Sequence, residues 1–107
     1  MNAHHFQVDK LSRFSIRLEE LFTELRSCGQ DAPSAELADE IASTAGEIML
    51  LLADHGEDEL VRGTLGEARR LREAARTLRP EPAQLAEAGR ALTQDVARII
   101  REEKRAA

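Results

Sequence analysis

The chain has no tryptophan, no tyrosine and only three phenylalanines (Phe6, Phe14 and Phe22) in 107 residues. Its core must therefore be aliphatic, built from leucine, isoleucine and alanine. No aromatic is interleaved with the arginines, so there is no platform on which nucleic-acid bases would stack. There is a single cysteine, Cys28, which excludes an internal disulfide and fits a reducing, cytoplasmic setting. Proline occurs only at Pro33, Pro80 and Pro82, leaving long uninterrupted segments between them. No apolar run approaches the roughly 18 residues that a membrane span needs. The opening residues lack the basic and apolar regions of a secretory signal. Positive charge is missing from a long stretch: no Lys or Arg stands between Ser27 and Val61. The net charge of −5 argues against general nucleic-acid binding.

What remains is rich in Ala, Leu, Glu and Arg, all strong helix formers. Apolar residues recur at alternating steps of three and four, which lines them along one face of an α-helix. Such a stripe runs through Leu37, Ile41, Thr44, Ile48, Leu51 and His55, and Ile48 to Leu52 make this segment apolar almost all round. A second joins Leu11, Phe14, Leu18, Leu21, Leu25 and Cys28. A third joins Val61, Thr64, Ala68, Leu71, Ala75 and Leu78. A fourth joins Leu85, Gly89, Leu92, Val96, Ile99 and Glu103. Helices are expected over about 8–28, 34–55, 58–79 and 82–104, within one domain spanning 1–107.

Punctuation supports these bounds. Asp9, Ser34 and Asp58 suit N-caps, Gly29 suits a left-handed residue after a helix, Gly56 a stop, and Pro82 a first helical position. Gly63 and Gly66 weaken the third helix, and Thr64 to Glu67 reads as a capping box, so a break there is an alternative to one straight helix. Short links force sequential helices antiparallel. The expected fold is an all-α, up-down-up-down four-helix bundle; the alternative is a pair of helical hairpins that close their core by dimerisation.

The stripes hold little that could do chemistry. There is no Gly-rich phosphate loop, no Ser-His-Asp order, no Glu-x-x-His pair and no mid-bundle carboxylate pair. Thr44 and Thr64 can satisfy their hydroxyls on a carbonyl one turn back, and Glu103 is expected to be solvated. Cys28 reads as a small buried hydrophobe. His4, His5 and Asp9 could gather, but zinc needs three or four ligands on a fixed frame; no metal or cofactor is expected. His55 precedes a helix stop and is followed by Asp58 and Glu59, a setting that repels a phosphoryl group.

Two features point outward. Ile16 and Leu50 stand outside their stripes, with Met49 beside Leu50, and together they suggest a protein interface. The basic residues gather in the third helix, where Arg62, Arg69, Arg70 and Arg76 could bind an anion. The expected function is a non-enzymatic protein-interaction module, either an adaptor, a small regulator or an export chaperone, that meets a protein partner and could form a homodimer, with no membrane partner expected and nucleic acid disfavoured. The alternative is a signalling or ligand-sensing bundle that uses His55 for phosphotransfer or the helix-three arginines for anion binding.

Overall fold

The computed structural model describes residues 7–106, and in them the chain forms four α-helices and no strand. They are α1 (Val8–Ser27), α2 (Ala35–Leu52), α3 (Glu59–Ala75) and α4 (Pro82–Ala106). Each packs on its neighbours in sequence, and α1 also packs on α4; the diagonal pairs meet only through the core. The result is an antiparallel four-helix bundle, 47 Å long and 18–20 Å across. The core is complete within one chain, so the dimer-closed hairpin alternative is not adopted.

Three of the four stripes behave as their spacing predicts. Leu11, Leu18, Ile41, Ile48, Leu71, Leu85 and Leu92 are fully buried. At about 25 cal/mol per Å² of apolar area removed from water, such side chains dominate the folding free energy. Thr44 and Thr64 are buried too, and each hydroxyl donates to a carbonyl four residues back (Glu40 and Leu60, both 2.8 Å). Thr64 is thus an interior residue, not a cap, and α3 runs unbroken through Gly63 and Gly66.

The ends follow capping chemistry, with corrections. Ser34 Oγ accepts the Leu37 N–H (3.1 Å), and Asp58 Oδ1 accepts those of Leu60 and Val61 (2.9 and 3.2 Å). Gly29 adopts φ +66°, as the residue after α1 must to reverse the chain. Asp9 is not the cap of α1: Gln7 holds that position without a side-chain bond, and Asp9 lies in the first turn. The second helix tightens into a 3-10 turn over Ala53–His55 before Gly56. The third helix stops at Ala75, short of residue 79. Pro80 disfavours helical geometry just before it, and Thr77 Oγ1 takes the Ala74 carbonyl (3.0 Å). Leu78 consequently leaves the expected stripe and is 98% exposed. Glu103 is half-buried rather than solvated and has an interaction partner.

One contact closes the ring. Gly89 is buried on α4, and a Cβ built there would lie 2.0 Å from Cζ of Phe22 on α1. The aromatic ring occupies the space of the missing side chain. Gly63 and Gly66, by contrast, have nothing within 4 Å of such a Cβ.

Alanine substitutions should therefore have opposite signs. Gly89→Ala is expected to cost about 2–3 kcal/mol by overpacking, and a further Phe22→Leu change should recover part of it. Gly63→Ala should add about 0.5–1 kcal/mol through helix propensity. Chemical denaturation of the three variants checks this, and a neutral Gly89→Ala would refute the close-packing account.

Candidate functional site

Small residues on α2 leave a channel beside α3. Ala42, Ser43, Gly46 and Ala53 form its floor and one side, with Met49 and Leu50 above them. Leu65, Arg69, Arg72 and Arg76 form the opposite wall, because their steps of four, three and four put them on one stripe of α3. The groove has a volume of about 540 Å³. The Cδ of Arg72 stands 3.9 Å from where a Cβ on Gly46 would be, so the alkyl stem of this arginine covers the gap that the glycine leaves. Among the described residues, Arg69, Arg72 and Arg76 enter no ion pair. Glu47 is the one acidic residue lining the groove.

A second groove, of about 310 Å³, runs on the other side of the same ridge, between α1 and α2. It is lined by Lys10, Arg13, Phe14 and Leu51, together with Glu47 and Leu50 again. Leu50, 72% exposed, thus stands on a crest between two channels with basic walls. Below it, Arg17 on α1 pairs with Glu40 on α2 and with Glu20 one turn on (3.4 Å). That network holds the two helices in register at the surface.

The structure brings together part of each set that the sequence singled out. Met49 and Leu50 share the groove with Arg69 and Arg76. Ile16 does not join them: it lies about 160° round α1 from Phe14 at 3.6 residues per turn, and it is 55% exposed outside both grooves. Arg62 continues the α3 stripe but lies outside the groove lining, and Arg70 turns toward α4, where its charge acts on Glu67. Arg72 was missed, although it falls on the stripe of Arg69 and Arg76. His55 is half-buried, has an interaction partner and does not line the arginine groove. Cys28 is half-buried at the end of α1, its thiol 3.6 Å from the Glu24 carbonyl. His4 and His5 lie outside the described residues, Asp9 is exposed, and no group of three metal-binding side chains occurs among the described residues.

The α3–α4 seam corrects one reading. A carboxylate pair does exist there: Glu67 on α3 meets Asp95 on α4, which Arg98 approaches at 3.5 Å. Glu67 Oε1 is buried and no donor reaches it. Burial pushes this carboxyl from its ordinary 4.5 to about 7; hydrogen bonding to Asp95 and the charge of Asp95 act the same way, and Arg70 opposes them. Protonated, the Glu67 carboxyl becomes a donor, with Asp95 as its acceptor. Sequence alone could not pair residues 67 and 95, because only the register of α3 against α4 does so.

A further cleft, of about 580 Å³, lies between the end of α1 and the start of α4. Its charged residues are Arg26 and Glu81, both exposed and opposite in sign, and it gathers no reactive set. No described helix is long and apolar enough to cross a membrane. Set against known proteins, the chain matches no protein-family model, no curated protein and no solved structure.

The Glu67–Asp95 pair has a pH signature. The unfolded chain loses the Glu67 proton near 4.5 and the fold keeps it to about 7. This contribution to stability is therefore whole below about 4.5 and is lost as pH rises through 7. Glu67→Gln should flatten that decline and stabilise the protein above pH 7 by about 1 kcal/mol, solvent screening having reduced the full value. Urea midpoints at pH 5 and pH 8 measure it, and equal pH slopes for the two proteins would count against a Glu67 carboxyl that stays protonated to about pH 7.

Proposed function

We propose that this protein is a non-enzymatic interaction module whose α2–α3 groove receives a helical element of a protein partner. The observation that supports this most is one groove combining a floor of small residues, apolar Met49, Leu50 and Leu65 along its walls, and three arginines that enter no ion pair among the described residues. Apolar patches rimmed by charge mark interaction surfaces. The arginines select for an element carrying carboxylates along one edge, and charge complementarity of this kind sets specificity and speeds encounter. Among the described residues no histidine or cysteine lines the grooves described above, and the Glu67–Asp95 pair lies on a different seam from the arginines. A role as adaptor, small regulator or export chaperone in the cytoplasm accords with this picture.

Amide chemical shifts of the labelled protein test the proposal against a panel of amphipathic helical peptides with acidic edges. Binding should perturb Ser43, Gly46 and Leu50 on α2 and Arg69 and Arg72 on α3, and Arg72→Glu should weaken it about tenfold. Failure of the whole panel, or the same perturbation by inorganic phosphate alone, would overturn the proposal, the second outcome favouring an anion sensor.

A further inference from the structure

We infer that the element seated in this groove is α2 of a second copy of the chain, docked antiparallel about a two-fold axis near Gly46. The inference rests on the groove being an interaction site and names its occupant.

Shape is the first ground. Leu50 is a knob, 72% exposed, and the hollow beside it is floored by Ser43 and Gly46. An antiparallel pair of α2 helices crossing between Gly46 and Glu47 sets each Leu50 over Ser43 of the other copy and each Glu47 over the other Gly46. Knob and hollow are carried by one surface, and a two-fold interface requires that self-complementarity. Half-burial of Gly46 leaves the backbones free to approach.

Charge is the second ground. The outer face of α2 carries Glu36, Asp39 and Glu47, Asp54 follows in the 3-10 turn, and no basic residue interrupts the run. Neither these four nor the groove arginines enter an ion pair among the described residues. Among the described residues the arginine wall thus has no ion-pair partner, and the acidic helix edge that matches it belongs to the same chain. In the antiparallel pair that edge crosses above the α3 wall of the other copy, twice by symmetry. Opposed charges then fix the register, and the leucine supplies the buried anchor.

Sedimentation of the full chain at about 100 µM tests this. The wild type should sediment at twice the 11.9 kDa chain mass. Leu50→Lys, Glu47→Arg and Arg72→Glu should each raise the dissociation constant about tenfold or more, with helicity by circular dichroism unchanged because these side chains are outside the core. The deciding step is mixing. Glu47→Arg combined with Arg72→Glu from the other sample restores both charge pairs of a two-fold interface, so the mixture should regain the doubled mass. No intramolecular role for these residues could produce that recovery. A monomeric wild type, dimeric variants, or a mixture that stays monomeric would each overturn the inference. A monomer that still binds acidic peptides in the groove would sink the dimer and leave the interaction module standing.

Discussion

The ring of Phe22 lies where a side chain at position 89 would have to be, and the closure of the bundle depends on that exclusion. The other three helix–helix seams join neighbours in sequence through short turns, which bring them together at little entropic cost. The α1–α4 seam joins the ends of the chain and has no such help. Packing holds it, and a glycine under the buried ring of Phe22 lets the two backbones come near. With the ring shut, the four apolar stripes face one interior, and the charged side chains of the described residues lie at a seam or in solvent, only the hydroxyls of Thr44 and Thr64 being buried with them.

The seams then differ in what they do with charge. Between α1 and α2, opposite charges meet and pair at the surface through Arg17 and Glu40. Between α3 and α4, two carboxyls meet: burial beside Asp95 keeps Glu67 protonated to about pH 7, and the bundle loses stability at alkaline pH for it. Between α2 and α3, arginines line a channel without ion-pair partners. A charge left without a partner beside an apolar floor does nothing for the isolated fold, whereas the other two arrangements are already balanced within the chain. That contrast sets the arginines of the α2–α3 groove apart from the Arg17–Glu40 and Glu67–Asp95 pairs.

How far the sequence carried can be judged from particular residues. The stripes, the caps at Ser34 and Asp58, the left-handed Gly29 and the opening of α4 at Pro82 are all local, and local rules found them. Leu78 escaped because a period cannot tell where a helix stops; Pro80 and the hydroxyl of Thr77 decide that. The match of Phe22 to Gly89 and of Glu67 to Asp95 depends on how far one helix slides against another, and no single-helix pattern contains that distance. Arg72 lay within reach, since it shares a stripe with Arg69 and Arg76, but its role is clear only once Gly46 is seen beneath its stem.

The apolar excess on α2 also shrinks once the fold is known. Met49 looks superfluous on a helical wheel, yet it is half-buried and packed against the core at the α3 seam, while Leu51 of the expected stripe is half-buried at the α1 seam. Only Leu50 remains unused. A lone exposed leucine is common on protein surfaces and by itself signifies little. Its position is what distinguishes it, because it crowns the ridge between two grooves, each with a basic wall, on a helix whose outer face is otherwise acidic. Folding gains nothing from an apolar side chain there, so an explanation must come from something that covers it. The surface that best matches an acidic ridge with one leucine is a basic channel with an apolar floor, and this molecule carries both.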